Sequence, residues 1–155
     1  MKKLSNPWKN AEGYYCFACC PNNEYGLKME FYEDGEDIVC IWKPDDHYQS
    51  WLNTLHGGIQ SLMVDEICSW VIFRKLNTSG VTSRLEMKYL KNVSTLDNQI
   101  TVRARLTKFV RNIAYMDAEI YNEAGEVCTK GSTIYFCAKP EDAKANGMEE
   151  CVTLD

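Results

Sequence analysis

The run Leu55-His56-Gly57-Gly58-Ile59-Gln60-Ser61-Leu62-Met63-Val64-Asp65-Glu66 joins a His-Gly-Gly turn to an apolar segment with carboxylates inside it. A helix that begins at Gly57 or Gly58 presents amide N–H groups without intrahelical partners, and its dipole adds partial positive charge there. A carbonyl oxygen gaining negative charge fits that end. Glycine also lets the backbone approach a ligand closely. Taken alone, His-Gly-Gly is equally a tight turn.

The segment that follows is helical in pattern and apolar nearly all round. Ile59, Leu62, Met63, Ile67, Trp70 and Phe73 form one stripe, with Val64, Cys68 and Ile72 on another side, so the helix is buried on most faces. Asp65 lines up with Gly58, Ser61, Ser69 and Ile72, mostly small residues that leave room for a ligand. Glu66 falls on the apolar stripe, where it needs a partner such as an arginine or an exposed position. Asp65 is therefore the stronger candidate for acid/base or nucleophilic work. Nine residues separate it from His56, which places the two roughly 13 Å apart along a helix axis. One subunit cannot readily bring both to one bond. Two such helices antiparallel across a two-fold axis can, which points to a dimer with two equivalent sites.

Length and composition fit one domain: 155 residues, 45% hydrophobic. The formal charge of −5, from 22 acidic and 17 basic residues, gives no general electrostatic reason to bind nucleic acid or an acidic membrane surface. Met1 to Asn10 carries charge but lacks the apolar run of a signal peptide, and no stretch is long enough for a membrane helix. A cytoplasmic location is expected. The eight cysteines are scattered through apparent strands and the helix and read as reduced, mostly buried thiols. Cys16-Phe17-Ala18-Cys19-Cys20 contains Cys-x-x-Cys, half of a common zinc site, but no second Cys-x-x-Cys or Cys/His pair completes it. It reads as a structural knuckle, and no metal or cofactor is expected. His47 reads as an ordinary loop histidine.

Positioning the helix requires strands on both sides of it. Leu27, Met29 and Phe31 alternate in Gly26 to Tyr32, and Ile38 to Trp42 follows a turn at Glu33 to Glu36, so the pair reads as a hairpin. Asn77-Thr78-Ser79-Gly80 stops the helix. Val81 to Lys91, Gln99 to Val110, Ala114 to Tyr121 and Val127 to Ala138 supply four more strands, and Lys139 to Asp155 reads as a polar tail. Two strands, a buried helix and four strands in hairpins predict an α+β fold: a curved antiparallel sheet of about six strands around one central helix.

The His-Gly-Gly helix with Asp65 nine residues on, in this strand order, resembles the hotdog-fold acyl-CoA thioesterases, nearest their phenylacetyl-CoA-thioesterase-like branch. Cys16-Phe17-Ala18-Cys19-Cys20-Pro21 through Tyr25-Gly26-Leu27 is similar to a Cys-Phe-x-Cys-Gly…Gly-Leu opening in some of these proteins, with Cys20 where glycine is usual. The resemblance covers about residues 14 to 138. It implies a single hotdog domain that hydrolyses acyl-CoA to free acid and CoA without metal or cofactor. It also implies a homodimer or dimer of dimers with sites between subunits. By the same resemblance Asp65 would activate water or attack directly. The N–H of Gly57, with or without that of Gly58, would polarise the thioester carbonyl, and His56 would help hold that end of the substrate. Thr82 or Ser83 would assist the carboxylate. Relatives often carry Asn six and Gly three residues before the histidine; Ser50 and Asn53 stand there here, and Asn53 is a candidate substitute. CoA phosphates need basic groups, for which Arg84, Lys88, Lys91, Arg103, Arg105, Lys108 and Arg111 are available. Two other functions fit the fold: binding a thioester without cleaving it, and hydratase or dehydratase chemistry. The latter wants a histidine paired with a carboxylate, which His56-Gly57-Gly58 does not resemble.

Overall fold

The computed structural model describes residues 1–154. Eight strands form one antiparallel sheet: β1 (Lys2–Leu4), β2 (Tyr32–Asp34), β3 (Asp37–Trp42), β4 (Gly80–Tyr89), β5 (Ile100–Val110), β6 (Ile113–Tyr121), β7 (Val127–Cys137) and β8 (Thr153–Leu154). Their spatial order is β4-β7-β6-β5-β3-β2-β1-β8. Helix α1 (Gly57–Val71) continues through a π-helical turn at Ile72–Leu76 and packs across β3 to β7. Asn77 then ends it in the left-handed conformation, at φ 50°, a usual helix stop. No helix is long and apolar enough to cross a membrane among the described residues.

The period-2 pattern of the strands and the apolar surface of α1 close on one core. Ile100, Val102, Ala104, Ala114, Met116, Ala118 and Ile120 face Met63, Val64, Ile67, Cys68 and Val71, all of them buried. Small residues let the helix sit low on the sheet. At Gly131 on β7 an added Cβ would lie 2.6 Å from Val64 Cγ1, closer than packed carbon atoms come.

The ends of the chain are more structured than their composition suggests. β1 and β8 extend the far edge of the sheet, which therefore has eight strands rather than six. The segment expected as a polar tail contains α2 (Pro140–Ala145) and buries Ala143, Met148 and Cys151. Proline at the start of α2 lacks only an N–H that the first helical turn would leave unpaired anyway. The expected strand Gly26 to Tyr32 keeps its alternation, with Leu27, Met29 and Phe31 buried and Lys28 and Glu30 exposed. Its regular strand shrinks to β2, because Lys28 adopts φ 53° and breaks the extended run. The Leu27 and Met29 amides instead donate to the Phe17 and Ala18 carbonyls.

That pairing makes Gly26 obligatory. A Cβ there would lie 2.3 Å from the Phe17 carbonyl oxygen, which accepts from Leu27 N–H at 3.0 Å. Backbone cannot rotate away as a side chain can. Gly26→Ala is expected to destabilise the fold by about 3 kcal/mol through steric strain and to lower the melting temperature by roughly 10 °C. Thermal unfolding followed by circular dichroism checks this, and an unchanged midpoint would contradict the packing.

The C-terminal end of α1 is tied to β2 by charge. Arg74 grips Glu33 through Nε at 2.9 Å and Nη2 at 3.0 Å, Lys75 Nζ reaches Glu33 at 2.7 Å, and Arg74 Nη1 donates to the Cys151 carbonyl. Hydrogen bonding from Arg74 first, and then Lys75, holds the Glu33 carboxyl at about 2, below its ordinary 4.5. A depressed folded-state value means stability that is present above pH 4.5 and lost as pH falls towards 2. After allowance for solvent screening the tie contributes about 2 kcal/mol. The stability gap between the native protein and Glu33→Gln in urea should be full near neutrality and narrow through that acid window. A gap that stays constant with pH would refute the assignment.

Candidate active site

The entry to α1 is held by backbone and buried side chains. The Leu55 amide donates to the Val93 carbonyl at 2.8 Å and the His56 amide to the Tyr48 carbonyl at 2.9 Å. Buried Gln60 donates to the Leu55 carbonyl and accepts from Thr129 on β7, so its amide is satisfied at both ends. Tyr89, the last residue of β4, donates to the Gly57 carbonyl at 2.8 Å and bonds Ser61 Oγ. The helix start is thus fixed from two sides.

His56 is the N-cap. Its Nδ1 accepts the Gly58 N–H at 2.8 Å, which leaves the ring's proton on Nε2 when the imidazole is neutral. This changes the expectation for Gly58: its amide is occupied by the cap. The Gly57 N–H makes no hydrogen bond among the described residues, so it is the amide left for a ligand. Shallow grooves flank this corner. One of about 260 Å³ is bordered by Gly57, Tyr89 and Lys91, and another of about 250 Å³ by Tyr48, His56 and Gly58.

Asp65 lies midway along α1, half-buried beside β4 and β7. Its Oδ1 accepts from Thr82 Oγ1 at 2.7 Å and, at 2.5 Å, from the Tyr135 hydroxyl, whose one proton is shared with the Asp65 backbone carbonyl at 2.6 Å. Ser69, one turn further on, donates to the Tyr135 oxygen at 3.1 Å. Burial first, and then the bond to Asp65, push the Tyr135 hydroxyl well above its ordinary value. It keeps its proton and remains a donor. Asp65 Oδ2 accepts no hydrogen bond among the described residues. One oxygen is therefore held and the other is free.

The other sequence candidates are distributed as follows. Thr82 reaches Asp65, whereas Ser83 falls in the irregularity between Thr82 and Arg84 where β4 slips against β7. Asn53 is exposed at φ 58°, and its backbone rather than its side chain makes the local bonds. Arg84 pairs with Glu86, Lys91 with Glu126, Arg103 with Asp34 and Asp37, and Arg105 with Asp37. Of the basic candidates for phosphate, Lys88, Lys108 and Arg111 carry no ion pair among the described residues. Tyr135 was not foreseen. Its only sequence signal is a tyrosine on the inward face of a strand, whose hydroxyl must find a partner when buried.

Glu66, the next residue of α1, is half-buried and has no arginine partner among the described residues. Its Oε1 accepts from Trp70 Nε1 at 3.2 Å and lies 3.6 Å from Cys16 Sγ. Burial, reinforced by charge on Cys16, raises its carboxyl to about 7. Donation from Cys19 Sγ and from the Cys19 and Ala18 amides lowers Cys16 to about 5, while Cys19 is pushed up. All eight cysteines are free thiols, and only Cys16 is less than fully buried.

An antiparallel sheet wrapped on one long helix, with an open amide at the helix start and an anchored carboxylate within it, defines the hotdog class. The thioesterase superfamily model matches residues 52–129. The chain belongs to the thioesterase superfamily. It is 27% identical over 100 residues to a Schizosaccharomyces pombe protein named as an esterase, covering 64% of this chain and 62% of that one. It thus spans less than two thirds of that relative. It is 22% identical over 98 residues to acyl-coenzyme A thioesterase 13 of Mus musculus, covering 62% of this chain and 69% of the relative. The crystal structure of a hypothetical thioesterase with coenzyme A from Streptococcus pneumoniae superposes with TM-score 0.65 at 23% identity, covering 78% of this chain and 90% of that one.

Proposed function

We propose that the chain is an acyl-CoA thioesterase acting as a homodimer, with Asp65 of one subunit and the Gly57 amide of the other at each site. The observation that carries this reading is the state of Asp65: Oδ1 is pinned by Thr82 and Tyr135 while Oδ2 is left unbonded. Oδ2 can take the proton of a water attacking the thioester carbonyl. The Gly57 N–H, backed by the helix dipole, stabilises the negative charge that develops on the carbonyl oxygen. The C–S bond then breaks, the proton held on Asp65 passes to the departing sulfur, and CoA leaves as its thiol. The Streptococcus pneumoniae relative with coenzyme A and the mouse acyl-coenzyme A thioesterase support CoA as the leaving group.

The dimer has support in the sheet. β4 is an edge strand of 10 residues, paired with β7 on one side and open on the other, most of its residues are exposed, and it carries Thr82 beside Asp65. A long unprotected edge is usually covered by another element or chain. Light scattering on the eluting protein reads its mass directly.

A panel of CoA thioesters with a free-thiol readout tests the activity. Binding without thiol release across the panel would favour a non-catalytic thioester-binding protein. One turnover in oxygen-18 water then separates two routes. Direct water attack labels the released acid. An anhydride on Asp65, opened by water at its own carboxyl carbon, leaves the label on the protein.

A further inference from the structure

We propose that Cys16, Cys19 and Glu66 form a zinc site that staples the N-terminal loop onto α1, on the side of the helix away from the Asp65 carboxylate partners. Two sulfur atoms and one carboxylate oxygen from these residues lie within 4.8 Å of one another. The third ligand comes from 50 residues along the chain, which is why a search for a second local pair of ligands misses it.

Three features fit zinc. First, a tetrahedral ion with bonds of about 2.3 Å to sulfur and about 2.1 Å to oxygen separates those two ligand atoms by about 3.6 Å. Cys16 Sγ and Glu66 Oε1 stand 3.6 Å apart. Second, the loop turns back at Cys16, whose carbonyl accepts from the Cys20 amide at 3.0 Å, so that Cys16 and Cys19 share one tight turn facing Glu66. A turn of this kind holds two sulfurs on one side of the backbone, as Cys-x-x-Cys metal sites require. Third, Glu66 is a carboxylate set against Trp70 and Cys16 with no lysine or arginine partner among the described residues. A buried carboxylate usually has a cation or a full set of donors. The Tyr14 hydroxyl, itself held by Asn6, lies 3.0 Å from Cys19 Sγ, and the fourth position of the ion is left to water. Mixed thiolate and carboxylate donors suit zinc better than calcium or magnesium, which prefer oxygen alone. Zinc holds both sulfurs as thiolates, so any thiol proton still present leaves to solvent on loading.

The consequence is mechanical. The loop from Tyr14 to Met29 has little regular structure and is held by scattered backbone bonds, so a metal tie there orders the loop where it rests on the helix. The exposed cluster Asp45, Asp46 and His47 is the competing metal-binding group, and the test must separate the two.

The test does not use turnover, so its failure leaves the thioesterase reading standing. Full-length protein, reduced with a phosphine and stripped with a chelator, is titrated with zinc against a chromophoric competitor. One zinc per chain is expected. Cys16→Ser/Cys19→Ser should weaken binding by more than about a hundredfold and Glu66→Gln by at least about tenfold, since loss of a direct ligand costs no less than loss of an outer partner. Cobalt in place of zinc should give a thiolate charge-transfer band in the native protein. Should the double variant fail to fold, alkylation of Cys16 in the native protein, read by mass spectrometry, must be suppressed by zinc. No stoichiometric zinc, zinc bound undiminished by the double variant, or equal alkylation with and without zinc would each overturn the proposal.

Discussion

Asp65→Asn is expected to lower kcat at least about a hundredfold, the loss that follows when a positioned acid/base or nucleophilic group is removed, with the fold and the proposed oligomer retained. The substitution is close to isosteric. An amide oxygen in the place of Oδ1 still accepts from Thr82 and Tyr135, so the side chain stays where it is. What changes is the free position: an NH2 group replaces Oδ2 and can neither accept a proton from water nor attack a carbonyl. The loss therefore falls on kcat, with KM little changed. Thr82→Val removes one of the two donors and should cost roughly tenfold, the worth of one hydrogen bond to a charged group. Ser83→Ala, in the bulge and away from Asp65, should cost nothing measurable. Steady-state kinetics on the best substrate of the thioester panel check all three. Full activity in Asp65→Asn would remove this carboxylate from the mechanism.

The parts of this site that were legible in the sequence are those set by local spacing. The His-Gly-Gly start, the apolar helix and Asp65 within it lie on one continuous segment, where the period of the helix fixes who shares a face. Strands β4 to β7 were legible for the same reason, since each alternates over nine or more residues. What escaped depends on pairing between distant segments. Tyr135 reaches Asp65 across 70 positions, and only the register of β7 against β4, which places Tyr135 opposite Thr82, puts it there. Glu66 belonged to an apolar stripe and needed a partner, but its partner was a thiol rather than an arginine. β1 and β8 have three and two residues, too few for any period to register. The occupation of the Gly58 amide by His56 was hidden because a glycine pair looks the same whether one N–H or two remain open.

Gly57→Pro is expected to lower kcat about a hundredfold to a thousandfold, the usual cost of losing an oxyanion donor, with little loss of stability. Proline is normally a harsh substitution in a helix, but Gly57 is the first helical residue after the His56 cap, the one position where a missing N–H and a fixed φ are favourable. The preceding residue must then be extended, and His56 already is, at φ −56° and ψ 131°. A Cβ at Gly57 meets the Tyr89 ring at 3.4 Å, an ordinary contact. The change thus removes an N–H that the fold itself does not use and puts the ring Cδ in its place. Mixing gives the sharper result. If each site combines Asp65 of one subunit with Gly57 of the other, subunits carrying Asp65→Asn and Gly57→Pro, each nearly inactive alone, form hybrid dimers with one intact site and one doubly defective site. Random reassortment of equal amounts then restores about a quarter of native activity. If both groups served a site within one subunit, no mixture would contain an intact site and activity would not return.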